Sequence, residues 1–339
     1  MKFSLKTTRV SLLVVIFLFV AWISSLIIVW HLLPRLGLND QTVLQSQFGA
    51  VVPIVAPAVV AIESERVRGS GSIQQSIGSG FIIDPDGFIL TNEHVINDAD
   101  NISVVLADKR KFIAQLVADD PRSDVAVIKI DADSLPLPAL AFAPPGQLYP
   151  GQVVITLGNP FGAGADGEAV ATYGRINRLN QKPNIPLDPE HDRFYDNLIM
   201  STAATRPGSS GGPLINTQGQ VIGITTAMGT VLESDEQFGF AIAFDSQVLW
   251  TIEQLIAGKP VQHAFIGIRP INSVPEVSSR LGINDISGAL VRSVLLDTPA
   301  QKADIRPDDL IRSIDGQRVS NELDFISRIN RCHPGQTIN

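Results

Sequence analysis

Between residues 77 and 244 the sequence is a train of short apolar stretches cut apart by glycine, proline and aspartate. Residues 81–83, 102–106, 125–130, 153–157, 221–225 and 238–243 are the clearest of them. Regularly spaced short strands with turn signals between them predict an all-β barrel or sandwich. Few aromatics (6%) against 27 glycines and 22 prolines suit a loop-rich β protein. A length of 339 residues suggests about two domains. The single cysteine, Cys332, excludes an internal disulfide framework and a cysteine-based zinc site. At a net charge of −8 nothing favours nucleic acid as a partner.

One turn in this train has unusual composition: Thr205-Arg206-Pro207-Gly208-Ser209-Ser210-Gly211-Gly212-Pro213-Leu214. So much glycine predicts a tight turn that exposes its backbone. Such a turn can hold a hydroxyl outward and aim N–H groups at the same point, as a serine nucleophile with an oxyanion hole requires. A plain surface turn between two strands has the same composition, so the reading needs a histidine and a carboxylate. Of five histidines, His31 lies in an apolar run, His191 in a proline- and charge-rich loop, and His263 and His333 follow the serine turn. His94 follows a strand, an Asp84-Pro85-Asp86-Gly87 turn and a second strand, which places it at a strand end. Asp124 stands at the mouth of the strongly apolar stretch 125–130. A carboxylate about to be buried needs a donor, and an imidazole N–H is a fitting one.

The chain order His94, Asp124, Ser210 is that of chymotrypsin-type proteases rather than of subtilisin or the α/β-hydrolases. Gly78-Ser79-Gly80-Phe81-Ile82-Ile83, Leu90-Thr91-Asn92-Glu93-His94-Val95, Ser123-Asp124-Val125-Ala126-Val127, Gly158-Asn159-Pro160-Phe161-Gly162 and Gly208-Ser209-Ser210-Gly211-Gly212 resemble the HtrA (Deg) family of trypsin-like serine proteases. With an apolar segment in front and one trailing module, the chain is similar to the membrane-anchored, single-PDZ, DegS-like type. The resemblance implies a mainly β chain. It implies a chymotrypsin-like double β-barrel protease domain over residues 51–258, with the active site between two six-stranded barrels. A PDZ-like α+β domain would follow over 259–339, and one N-terminal transmembrane helix is expected to precede both. It implies a homotrimer, and a serine endopeptidase needing no metal or organic cofactor. Ser210 would attack, His94 would act as base, Asp124 would orient it, and the N–H groups of Gly208 and Ser210 would form the oxyanion hole. Ile224, Thr225 and Thr226 would line a small apolar S1 pocket with the 204–207 side of the serine turn.

Residues 10–34 carry no charge, and Leu, Ile, Val, Phe and Trp dominate. A bilayer core needs about 20 apolar residues, so the run is long enough to span. A cleaved signal peptide would have a shorter apolar region and a small-residue cleavage site, which the sequence lacks. Lys2, Lys6 and Arg9 before the run against Arg35 after it predict a cytoplasmic N-terminus. Residues 1–35 are thus expected to be the anchor of a single-pass inner-membrane protein whose catalytic domain faces the periplasm. Residues 36–50 read as a polar linker, and 63–76 as a second, mobile one.

Gly162-Ala163-Gly164-Ala165-Asp166-Gly167 matches a dinucleotide fingerprint, but the next segment looks like a strand where that fingerprint needs a helix. The long proline-rich stretch 180–197 corresponds in the family to a regulatory loop. Residues 246–257 carry apolar positions at helical spacing, with Gly258 as the stop. From about residue 261 the chain resembles a PDZ domain: Phe265-Ile266-Gly267-Ile268 matches the loop whose N–H groups grip a peptide carboxylate. The implied ligands are C-terminal peptides of misfolded envelope proteins, and the implied substrates are periplasmic proteins. The family's usual Thr-Asp-Ala reads Ser201-Thr202-Ala203 here, and its asparagines before the nucleophile are Arg206 and Ser209. A catalytically silent, peptide-binding scaffold is the competing reading.

Overall fold

The computed structural model describes residues 40–69, 71–132, 136–159, 168–181, 193–226, 238–273 and 287–339, with Phe19 and residues 21–24. Most of the expected membrane segment lies outside these residues, as does the 162–167 fingerprint and most of the 180–197 loop. Phe19 and 21–24 are helical. Among the described residues no helix is long and apolar enough to cross a membrane.

The chain divides into two compact units, residues 1–54 and 55–339. In the first, helix α1 (Asp40–Val55) replaces most of the expected 36–50 linker. Only Gly49 interrupts this stretch before Pro53. Pro53 lies in the last turn, where its missing N–H costs a single helical hydrogen bond.

The second unit opens with a 3-10 turn (Ala56–Ala58) and strand β1 (Val59–Val67). Strands β2 (Ile73–Asp84), β3 (Phe88–Thr91), β4 (Asn101–Val105), β5 (Lys111–Asp120) and β6 (Val125–Ile130) complete a closed barrel in the order β1-β2-β3-β6-β5-β4. The described residues of 63–76, expected to be a mobile linker, belong to the β1–β2 hairpin, with register from Val59↔Phe81 to Val67↔Ile73. Its polar residues find partners along the ladder. Gln75 donates to Glu65 at 3.0 Å, and Val67 N donates to Asp100 Oδ2 at 2.6 Å. Ile62, Phe81, Ile89, Leu90, Ile128 and Ile130 are fully buried.

Strands β7 (Val153–Gly158), β8 (Val170–Gln181), β9 (Leu198–Ser201), β10 (Pro213–Ile215), β11 (Val221–Thr226) and β12 (Gly239–Ala243) close a second barrel in the order β10-β11-β12-β9-β8-β7. Its core holds Val154, Ile176, Ile199, Leu214 and Ile222. The two six-stranded barrels are those the family resemblance implies.

Helix α3 (Ser246–Ile256) is capped by Asp245, which accepts from the amides of Gln247 and Val248, both at 3.0 Å. It buries Thr251, Ile252 and Leu255 and packs back across β5 and β6 of the first barrel. β6 is therefore covered on both faces, which explains why its six residues read as one apolar run rather than an alternation.

The last domain contains the sheet β13 (Ile268–Asn272), β14 (Ala289–Val294) and β15 (Leu310–Ile311). It also has a short helix α4 (Pro299–Lys302), the ribbon β16 (Ser313–Ile314) and β17 (Gln317–Arg318), and helix α5 (Glu322–Asn330). Ala264, Ala289, Ile314, Val319, Phe325 and Ile329 form its core. It docks on the protease domain through polar contacts. His263 Nε2 lies 2.8 Å from Asp120 Oδ1, Arg122 donates to Asn330 Oδ1, and Ser327 Oγ donates to Asp196 Oδ2 at 2.9 Å.

Candidate active site

His94 sits in the four-residue helix α2 (Glu93–Ile96) directly after β3, rather than at the strand end itself. Asn92 precedes that helix in extended backbone and donates from Nδ2 to the Asp124 carbonyl at 2.9 Å. This tie joins the histidine helix to the turn before β6. Asp124 adopts φ +56, in the left-handed region where non-glycine residues are uncommon. That backbone turns its carboxylate inward, where it has no solvent exposure.

The carboxylate is compensated by donors. Asp124 Oδ1 accepts from His94 N at 3.0 Å, and the two oxygens lie 2.9 and 2.8 Å from His94 Nδ1. Tyr195 OH donates to Oδ2 at 2.8 Å. A carboxylate facing Nδ1 selects the tautomer protonated there and leaves the Nε2 lone pair available as a base. The imidazole is 30% exposed, so its far side can reach a second group.

Ser210 lies on the turn between β9 and β10 and is 5% exposed. Ser79 of β2 holds that turn at two points: its N–H donates to the Ser210 carbonyl at 2.7 Å and its Oγ to the Gly208 carbonyl at 2.6 Å. The same Oγ accepts from Asn159 N at 2.8 Å, so one serine of the first barrel ties together two loops of the second. Gly208 has φ +92, which glycine adopts without strain. Gly211 has φ +86, and a β-carbon there would collide with the Ser79 carbonyl oxygen and with Thr91 Oγ1. Gly211→Ala is therefore expected to push the serine turn off the first barrel, lowering stability by about 3 kcal/mol. Denaturant unfolding of the variant against the parent measures it, and an unchanged midpoint would refute the close packing.

Ile224, Thr225 and Thr226 are all buried here. Thr225 pairs with the serine turn in both directions, Gly211 N to its carbonyl and its own N to the Gly212 carbonyl, each at 2.8 Å. The Thr226 side chain bonds the Tyr195 phenol. The strand thus backs the serine turn.

Sequence reasoning missed three contributors: Ser79, Tyr195 and Arg193. Arg193 Nη2 donates to Glu93 Oε2 at 2.8 Å, and its Nε lies 3.8 Å from Asp124 Oδ1. Burial pushes the Glu93 carboxyl up, against the lowering effect of Arg193. Burial opposes the charge of Arg193, yet the hydrogen bond it donates to Glu93 and the charge of Asp124 outweigh it and raise its proton affinity. Burial, then the charge of Asp124 and the hydrogen bond to it, push Tyr195 upward, so it stays a neutral donor. The only signal for these residues was their place next to sequence features already singled out: Ser79 inside a family motif, and Arg193 and Tyr195 at the end of the 180–197 stretch.

Around the substituted positions, Thr202 is held on β8, with its Oγ1 accepting from Arg175 N at 3.0 Å. Arg206 is exposed, and its carbonyl accepts from Ser209 N at 2.9 Å. In the last domain Phe265 is 60% exposed, whereas Ile266 and Ile268 pack against the core. The Ile266 and Gly267 carbonyls accept from Ala300 and Leu295 N, both at 2.8 Å. Among the described residues β13 pairs only with β14, and α5 packs against it.

A trypsin-like peptidase domain model matches residues 78–224, and a PDZ domain model matches 264–339. The solved structure of the HtrA-type protease AlgW with tripeptide aligns at 33% identity, covering 86% of this chain and 90% of that one, with a TM-score of 0.71. The chain belongs to the HtrA family of serine proteases. AlgW with decapeptide aligns at 30% identity and TM-score 0.70, covering 85% of this chain and 92% of that one. A relative from Marinomonas sp. (strain MWYL1), "Probable periplasmic serine endoprotease DegP-like", is 37% identical over 75% of this chain and 51% of its own length. The chain thus spans about half the length of the curated relatives it matches. Within the HtrA family it has the trypsin-like domain followed by a single PDZ domain.

Proposed function

We propose that this chain is a serine endopeptidase that cuts periplasmic proteins in quality control or stress signalling. The observation that carries the reading is the His94–Asp124 pair, a fully buried carboxylate 2.8 Å from Nδ1, on the barrel whose Ser79 also grips the serine turn. In the proposed reaction Ser210 Oγ attacks the substrate carbonyl carbon while His94 Nε2 takes the hydroxyl proton. The carbonyl oxygen becomes an oxyanion facing the N–H groups of Gly208 and Ser210, and Asp124 stabilises the imidazolium. Collapse breaks the C–N bond, His94 returns the proton to the leaving amine, and water then hydrolyses the acyl-enzyme by the same steps. Each oxyanion donor is worth about 3 kcal/mol of barrier.

The PDZ domain is proposed to take the C-termini of misfolded envelope proteins as an added strand along the edge of β13 that pairs with no other described strand, beside Phe265, Ile266, Gly267 and Ile268. Tripeptide and decapeptide complexes of AlgW support this reading. The apolar residues 10–34 are proposed to anchor the chain in the inner membrane, and a homotrimer is the proposed assembly. A small, apolar S1 pocket, as the family resemblance implies, would suit cleavage after Val or Ala.

A fluorophosphonate probe incubated with the full-length protein, with and without C-terminal peptides, tests the catalytic claim. Mass spectrometry is expected to find the adduct on Ser210. A protein that takes no label under any peptide is a silent scaffold instead.

A further inference from the structure

Beside the Asp124 carboxylate lies a second pair of charges that the reaction above does not use. Glu93, the residue before His94, is 2% exposed, and Arg193 is 9% exposed. They meet at 2.8 Å, with Arg193 Nε 3.8 Å from Asp124 Oδ1. Charged side chains are almost never buried this far unless paired. An apolar pair of similar volume usually stabilises a fold as well or better, so stability alone does not explain the choice.

We propose that Glu93 and Arg193 are positioning residues that act through His94 and Asp124, setting the charge balance in which the imidazole takes up its proton. This rests on the catalytic reading above. Glu93, Asp124 and Arg193 together leave the pocket with one net negative charge while His94 is neutral. Uptake of the Ser210 proton then brings the pocket to neutrality. Without the Glu93 charge the pocket starts neutral, and protonated His94 would add an uncompensated cation beside Arg193.

The other charged groups nearby have their own places. Asp119 of β5 acts on Glu93. Of the strands packed on α2, β1 carries Glu63, bound to Lys111, and Glu65, bound to Gln75. β2 carries Asp84, which accepts from Asp86 N, and β6 carries Lys129, paired with Asp131. Tyr195 supplies a neutral phenol.

The test is the pH dependence of kcat/KM for the full-length protein on an unfolded protein substrate. Glu93→Gln keeps the shape and an acceptor for Arg193 but removes the charge. Its acid limb is expected about one pH unit below that of the parent, with a several-fold lower plateau. Adding Arg193→Gln to it is expected to move the limb back up. Arg193→Lys, which keeps the charge but loses the planar fork, is expected to leave the limb within a few tenths of a unit of the parent. A Glu93→Gln protein with native circular dichroism and an unshifted limb overturns the proposal, as does a double variant whose limb stays down. If the parent labels at Ser210 while the limb does not move, this inference alone fails. If the parent does not label, the catalytic reading beneath it fails too.

Discussion

Ser210→Ala is expected to reduce kcat on a protein substrate by about 10⁶-fold, leaving the thermal midpoint within about 2 °C of the parent. The change removes one oxygen from a turn whose position depends on its backbone. Ser79 N holds the Ser210 carbonyl, Ser79 Oγ holds the Gly208 carbonyl, and Gly211 and Gly212 pair with Thr225. None of these contacts involves the Ser210 hydroxyl, so the turn should survive its loss. What remains is catalysis by binding and the oxyanion donors alone, about 10³–10⁴-fold over water. Gel-based cleavage with long incubation and a thermal melt read both numbers. Undiminished cleavage would place the nucleophile elsewhere in the chain.

Asp124→Asn is expected to cost about 10⁴-fold in kcat, for a different reason. Three donors converge on the carboxylate: His94 N, His94 Nδ1 and Tyr195 OH. An amide has one oxygen to offer and presents N–H in place of the other. Facing that N–H, Nδ1 must accept, so the ring proton moves to Nε2, where the base is needed. The wrong tautomer is then held in place by good geometry. One of the three donors also loses its acceptor inside the protein, which costs about 1–3 kcal/mol of stability. Stopped-time assays and denaturant unfolding check the two effects separately. A variant within tenfold of the parent rate would mean that Asp124 does not set the tautomer.

The segment 193–197 links the site to the last domain. Arg193 meets Glu93, Tyr195 meets Asp124, and Asp196 meets Ser327 and Arg331 at the end of α5. Within a few consecutive residues the chain touches the proposed dyad and the PDZ domain.

The elements legible in the sequence are those whose determinants are local. β6, β7, β11 and β12 were marked by apolar runs between turn residues, and α3 by apolar spacing ahead of a glycine stop. The chain order of His94, Asp124 and Ser210, together with the glycines of the serine turn, pointed to the chemistry. Local pattern misread the places where partners come from afar. The β1–β2 hairpin reads as a mobile linker because its outer half is polar. It is ordered by backbone pairing and by Asp100, a contact that residue spacing does not encode. Local pattern places His94 at a strand end, yet it occupies a helical turn whose entry is tied by Asn92 to the Asp124 carbonyl. Thr226 bonds the Tyr195 phenol, a partner that residue spacing does not encode.

Composition, turn chemistry and residue order by themselves determined the β class, the place of the glycine-rich serine turn and the two partners its proposed role would need. Only the folded chain decided what surrounds them: Ser79 bridging the barrels, Tyr195 completing the shell of Asp124, and Arg193 opposite Glu93. Strand and turn preferences act over a few residues, so sequence displays them. The burial that makes a distant charge or hydroxyl matter exists only once two barrels have closed around it.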